Sequence, residues 1–154
     1  MSDATPAQRL RELLERIVEA YGLDATVVIE EDDEAIRGTL EGDDLGLVIG
    51  RHGQTIDALE HLATRIAYPG GQRDRRVEID AAGYRERRAE ALERQADKAA
   101  VEAAGSGRPV ELDPMGASER RLVHEYLRDR HEIETYSEGD EPNRRLVVAP
   151  VAPA

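Results

Sequence analysis

Two clusters in this sequence have residue types and spacing suited to binding an anion. The first is Gly50-Arg51-His52-Gly53, where an apolar run of Leu45, Leu47, Val48 and Ile49 gives way to a helical pattern. Glycine reaches positive φ and lets another backbone approach without a Cβ. The helix after Gly53 adds unpaired N–H groups and the positive end of its dipole. Arg51 and His52 contribute side-chain donors, although a bare Gly-x-x-Gly also fits a plain structural turn. The second cluster lies in ERRLVHEYLRDRH. At about 100° per residue, Arg120, His124, Arg128 and His131 fall on one side with Arg121 at its edge, and Leu122, Val123, Tyr126 and Leu127 are read as the packed side. A basic face of this kind meets phosphates or is simply a solvated helix face. Arg120 and His124, one turn apart, also have the reach to anchor carboxylates or the EGDEPNRR turn.

Catalytic chemistry fits these residues poorly. His124, Glu125, His131 and Glu132 have the types of a helical zinc site, but the two histidines lie two turns apart, roughly 10 Å along a helix axis, whereas ligand pairs sit four residues apart. There is no cysteine, no phosphate-binding Gly-Lys-Ser/Thr sequence and no Gly-x-Ser-x-Gly elbow. No catalytic residue, metal ligand or cofactor is therefore expected. The absence of cysteine also excludes a disulfide framework and suits a reducing compartment. Apolar runs are short and the start MSDATPAQRLRELLER is polar, which argues against a membrane span and a signal peptide and for a cytoplasmic protein.

The formal net charge of -12 argues at first against a nucleic-acid partner. The distribution of charge is more informative. Between Glu30 and Asp44 eight acids face only Arg37, whereas from Gly46 to Arg76 five arginines outnumber three acids. Arginine supplies nearly all the positive charge, Lys98 being the only lysine. A guanidinium matches phosphate in a forked geometry, but a compositional bias toward arginine accounts for the excess equally well. The acidic stretch suits a basic protein, so a protein-interaction adaptor with incidental nucleic-acid affinity is the alternative to a nucleic-acid binder. With no Phe, no Trp and five scattered tyrosines, the chain lacks the aromatic platform on which many single-strand binders stack bases.

A length of 154 residues holds one ordinary domain or two small ones, and the pattern of elements favours two. Leu10, Leu13, Leu14, Ile17 and Val18 predict a helix over 6–21, capped by Thr5 and stopped by Gly22. Strands are predicted over 25–31 and 36–41 around the turn Asp32-Asp33. A short helix over 45–49 leads into the glycine loop, and Ile56, Leu59, Leu62, Ala63 and Ile66 mark a longer helix after it. Tyr68-Pro69-Gly70-Gly71 breaks the pattern, and a strand over 76–81 completes the order helix, strand, strand, helix, helix, strand. A charged, alanine-rich helix over 84–104, ending at the breaker Gly105-Ser106-Gly107, joins this unit to a second. There a strand over 109–112, a helix from about Ser118, a strand over 133–136, a turn over 139–143 and a strand over 145–149 are expected. The final VAPA reads as a frayed tail.

The loop between two helices, preceded by a helix and a hairpin, resembles the KH domain in its bacterial-type element order. That module's Gly-x-x-Gly loop clamps about four nucleotides of backbone, and its bases lie over an apolar groove that Val48, Ile49 and Ile56 would line here; the same three residues fit plain core packing. The Arg120-x-x-x-His124 pair resembles the Arg-x-x-x-His domain of single-strand-binding proteins. With ELDPMGASERRLVHEYL, TYSEGDEPNRRLVVAP and the YRERR helix, the chain is similar from about Leu23 to Pro150 to the bacterial Jag family. That resemblance implies an α/β (α+β) chain with a KH domain over 1–81, a connecting helix and breaker over 82–107, an Arg-x-x-x-His domain over 108–150 and a tail over 151–154. It implies a non-catalytic cytoplasmic binder of single-stranded RNA, with single-stranded DNA as a further ligand. It also implies a small KH-only partner protein and a post-transcriptional role linked to envelope growth or division. Gly50 and Gly53 would frame the clamp, Arg51 and His52 would contact phosphate, and Arg120 and His124, flanked by Arg121 and Arg128, would form a second contact surface. Two departures stand out: many relatives carry a further N-terminal domain missing from this sequence, and they tend to have lysine or arginine at both loop positions, where this chain has His52.

Overall fold

The structure is a computed structural model that describes residues 3–152. The chain divides into two compact units, one ending at Arg85 and the other beginning at Glu86. The class is α+β. Of the expected tail, residues 153 and 154 lie outside the described residues, while the Val151 N–H donates to the Glu132 carbonyl at 3.1 Å.

In the first unit, α1 (Pro6–Tyr21) begins at a reciprocal cap. Thr5 Oγ1 accepts the Gln8 N–H at 3.2 Å and Gln8 Oε1 accepts the Thr5 N–H at 2.8 Å, so two otherwise orphaned donors are satisfied. It ends at Gly22, whose φ of 63° lets the chain turn back while Leu23 donates to the Val18 carbonyl at 2.9 Å. Leu10, Leu14 and Ile17 are the buried stripe of this helix. They pack with Ile36, Leu40, Val77 and Ile79 of a three-stranded sheet ordered β1 (Ala25–Glu31), β2 (Ala35–Gly42), β3 (Arg76–Ala81).

The β1–β2 pair is antiparallel, with Val27 opposite Leu40, and β2–β3 is parallel, with Ile36 opposite Val77. A parallel pair needs a crossover, and here it consists of α2 (Gly46–Ile49), the glycine loop and α3 (Gln54–Ala67). The loop is therefore held at both ends by helices packed on the sheet. Glu60 of α3 accepts the Ile79 N–H at 2.9 Å and the Arg85 guanidinium at 3.0 Å, while Arg85 Nε donates to the Ile79 carbonyl at 3.2 Å. This satisfies main-chain groups of an edge strand that would otherwise be open to further pairing.

In the second unit, β4 (Val110–Glu111), β6 (Arg145–Pro150) and β5 (Ile133–Glu138) form an antiparallel sheet in that order. The long helix α4 (Tyr84–Ser106), which reads from sequence as a connector, contributes Leu92, Ala96, Ala99, Ala100 and Ala103 to the core of this unit. These meet Val123 and Leu127 of α5 (Ala117–Leu127), together with Ile133, Leu146 and Val148. Arg88 of α4 holds Glu119 of α5 in a two-pronged pair at 2.7 and 3.2 Å. The expected break at Gly105 does not occur, because α4 continues through it to Ser106 and the chain turns at Gly107 with φ 69°. A lone glycine lowers helix propensity by about 1 kcal/mol, and packing of the alanine face outweighs that cost.

The β1–β2 turn depends on Asp32. Its Oδ1 accepts the Glu34 and Ala35 N–H groups at 2.8 and 2.9 Å, and its Oδ2 accepts the Arg37 guanidinium at 2.6 Å. Arg37 first, then the two backbone donors, lower the Asp32 carboxyl from 3.8 to about 2. A depressed carboxyl pKa contributes stability that is present above the unfolded value and lost as pH falls through the folded one. Wild-type protein should therefore lose melting temperature between about pH 4 and pH 2 more steeply than Asp32→Asn, and added salt should narrow the gap because the pair is exposed. Parallel melting curves for the two proteins would contradict this assignment.

Candidate nucleic-acid interface

The glycine loop takes a conformation that side chains resist. Gly50 lies at φ 73°, ψ 179°, His52 at φ 54°, ψ 26° and Gly53 at φ 77°, ψ 13°. The first of these is essentially restricted to glycine, and the His52 conformation is uncommon for a residue with a Cβ. The chain's own packing also requires both glycines. A Cβ on Gly50 would sit 2.2 Å from Thr55 Oγ1, and one on Gly53 would sit 2.8 Å from the Tyr84 ring. The two glycines thus let the loop fold tightly over Thr55 and Tyr84, and this holds Arg51 outward.

Arg51 is exposed and His52 half-buried, and among the described residues neither has a carboxylate partner. The loop leads directly into α3, whose N-cap, Gly53, provides no side-chain hydrogen bond. The positive end of the dipole of this 14-residue helix therefore lies at the loop. Asp57, the acid in that first turn, is ion-paired with Arg85. The Gln54 N–H, the first of α3, donates to the Arg51 carbonyl, so what favours an anion here is the exposed Arg51 guanidinium, the positive end of the α3 dipole and the neutralised Asp57.

The aliphatic residues beside the loop divide differently from the sequence expectation. Val48 and Ile56 are completely buried in the core and Ile49 is half-buried, whereas Leu47 is 70% exposed. The accessible apolar surface next to the loop is thus Leu47 with part of Ile49. α2 has only four residues, too few for periodicity to show which of them face solvent, so Leu47 carries no signal in the sequence.

In the second unit the register of α5 corrects the helical projection. Arg120 is not on the exposed face: it is only 9% exposed and shares the buried stripe with Val123 and Leu127. Its Nε donates to the Met115 carbonyl at 3.2 Å, its Nη1 to Ser137 Oγ at 3.0 Å and its Nη2 to Glu141 Oε1 at 2.6 Å. Tyr126, expected on the packed side, is exposed. Its hydroxyl donates to Asp97 at 2.8 Å, and that hydrogen bond, then burial, raises the phenol pKa. Leu122 is half-buried against the core. His124 is exposed, with Nδ1 hydrogen-bonded to Thr135 Oγ1, and Arg121 is exposed and paired with Glu125 at 3.0 Å. α5 ends at Leu127, so Arg128 and His131 occupy the turns beyond it, both exposed. Arg120, Arg121 and His124 come together with Thr135 and Ser137 around a cavity of about 340 Å³ between α5 and β5.

Among the described residues no three His, Cys, Asp or Glu side chains are grouped to hold a metal ion, and no helix is long and apolar enough to cross a membrane.

Comparison with known proteins matches the chain to two family models. The KhpA/KhpB KH domain matches residues 7–79, and the Arg-x-x-x-His domain matches residues 90–150, a span that takes in most of α4. Three relatives carry the name RNA-binding protein KhpB. The chain is 35% identical to that of Clostridium symbiosum over 140 residues, covering 90% of this chain and 63% of the relative. It is 36% identical to that of Bacillus subtilis over 149 residues, covering 94% and 70%. It is 36% identical to that of Lactiplantibacillus plantarum over 148 residues, covering 96% and 46%. The chain therefore spans from less than half to about two thirds of the length of these relatives.

Because Gly50 and Gly53 are required by Thr55 and Tyr84, Gly50→Ala and Gly53→Ala should each destabilise the protein by about 1–3 kcal/mol in the absence of any ligand. Chemical denaturation of the RNA-free variants measures this. Wild-type stability in both would show that the close approaches relax without cost.

Proposed function

The chain belongs to the KhpB (Jag) family, and from that premise we propose that it is a non-catalytic protein that binds single-stranded RNA, with the Gly50-Arg51-His52-Gly53 loop clamping the nucleic-acid backbone. The observation that carries this reading is the loop itself: an exposed Arg51 with no carboxylate partner among the described residues, held by two tightly packed glycines at the N-terminus of α3. Backbone N–H groups and a helix dipole at such a place favour a phosphate without distinguishing bases. Leu47 and Ile49 supply the apolar surface for a base. Arg121, His124 and Arg128 supply a second contact surface in the second unit. Single-stranded DNA offers the same phosphates and is a secondary ligand.

The finer reading is a cytoplasmic post-transcriptional regulator, tied to envelope growth or division and acting with a small KH-only protein. Family membership is what supports it. The matches to a KH domain and an Arg-x-x-x-His domain, modules known for binding rather than for a reaction, support the non-catalytic reading.

Replacing Arg51 and His52 by Asp puts two anions at an exposed loop without disturbing Thr55 or Tyr84. Affinity for single-stranded RNA should fall by about tenfold or more at 0.1 M salt, with the melting temperature unchanged and the loss similar across RNA sequences. Fluorescence anisotropy with several labelled oligonucleotides measures it. A folded variant that binds as tightly as wild type removes the loop from the interface. Salt-independent binding to a protein, with none to RNA, would replace this reading by the adaptor alternative.

A further inference from the structure

We infer that Arg120 is a positioning residue and that the guanidinium meeting an RNA phosphate in the second unit belongs to its neighbour Arg121; this rests on the RNA-binding reading above. The two guanidinium groups differ in what each already holds. The Arg120 side chain is 10% exposed, and its three nitrogens donate to Met115, Ser137 and Glu141, which belong to the loop before α5, to β5 and to the turn before β6. With so little of the side chain open to solvent, a phosphate reaching Arg120 would compete with Glu141, one anion against another. Turning the fork outward would also leave the Met115 carbonyl and Ser137 hydroxyl unsatisfied, and such losses cost more than an ordinary hydrogen bond returns.

Arg121 is in the opposite situation. Its side chain is 79% exposed and its ion-pair partner is Glu125, one turn along the same helix at 3.0 Å and 55% exposed. Exposed pairs of this kind contribute little to stability, so a phosphate can take the place of Glu125 at small cost. Both arginines line the same cavity as His124.

The positioning action follows from the strand period. Thr135 and Ser137 are two residues apart on β5 and so project from the same face, opposite Val148 and Leu146 of β6, which belong to the core beneath α5. Arg120 grips Ser137 and His124 grips Thr135. Two contacts one turn apart on α5 thus hold two same-face residues of β5, and the β5–β6 turn is tied in through Glu141. Releasing Arg120 loosens the strand that orients His124 and the wall of the cavity beside Arg121.

The test measures the affinity of the full chain for a 12-nucleotide oligouridine as a function of salt, with melting temperatures, in wild type, Arg121→Ala, Arg120→Ala and Glu141→Gln. Loss of one phosphate contact on a single strand lowers the slope of log affinity against log salt by about 0.7. Arg121→Ala should show that change, whereas Arg120→Ala should weaken binding about fivefold with the slope unaltered. Glu141→Gln removes a negative charge, so simple electrostatics expects tighter binding; positioning expects weaker binding, and Arg120→Ala combined with Glu141→Gln should be no weaker than Arg120→Ala alone. Tighter binding by Glu141→Gln, or a slope reduced in Arg120→Ala as much as in Arg121→Ala, overturns the assignment. Should Arg120→Ala fail to fold, the direction of the Glu141→Gln effect still decides it. Wild-type protein that binds no oligonucleotide would refute the RNA-binding reading itself and the arginine assignment with it.

Discussion

A guanidinium can serve only the anions within reach of one planar fork, and many arginines of this chain are already engaged internally. Arg37 ties β2 to Glu78 of β3, and Arg75 reaches back to Glu31 at the end of β1. Arg85 gathers Asp57 and Glu60 of α3, Arg88 holds Glu119, Arg130 holds Asp97 and Arg145 holds Glu111 across the second sheet. These pairs join segments far apart in sequence. The excess of acids is therefore partly a supply of partners. An external anion is left with the arginines that no carboxylate among the described residues has claimed, such as Arg51 and Arg128, or those whose partner is exposed and easily replaced, as with Arg121.

A glycine loop can serve the chain's own packing and an outside ligand, and here the two roles fall to different residues. Thr55 and Tyr84 explain why no side chain can stand at positions 50 and 53, so the glycines by themselves do not testify to a ligand. What testifies is the remainder: an exposed arginine with no carboxylate partner among the described residues, placed at a helix start whose cap is a glycine. Packing creates the conformation, and the conformation then presents donors to an outside anion.

Much of this fold is legible in the sequence because it is decided by local physics. The Thr5 to Gly22 span of α1 is bracketed by a cap and a stop that act within a few residues. The alternation in β1, β2 and β3 belongs to single strands with one buried face, and the observed bounds follow it closely. The failures arise mainly where the deciding contact is non-local. Arg120 stands three and seven residues before Val123 and Leu127 and so shares their stripe, but its charge alone suggests an exposed place because its partner Glu141 lies 21 residues away. Tyr126 is grouped by projection with the packed side, yet it lies at the edge of that side, where Asp97 on another helix holds its hydroxyl at the surface. Gly105 reads as a breaker, but the alanine face of α4 has a core to pack against. Val48 and Leu47 exchange roles because a single helical turn has no periodicity to read.

A net charge of -12 is compatible with a phosphate ligand because screening makes recognition local. At physiological ionic strength exposed charges more than about 8 Å apart are largely hidden from one another, so the acids of the β1–β2 turn bear on a phosphate only if it comes near that turn. On the reading proposed above, attraction at the glycine loop rests on the exposed Arg51 and the α3 dipole, which depend on local placement and not on overall composition. Such a site needs no lysine-rich surface. If the loop is the clamp proposed above, the acidic remainder acts against indiscriminate adhesion: a duplex, with two charged backbones and a broad footprint, meets the repelling surface as well as the loop, whereas a single flexible strand can enter the loop and turn away.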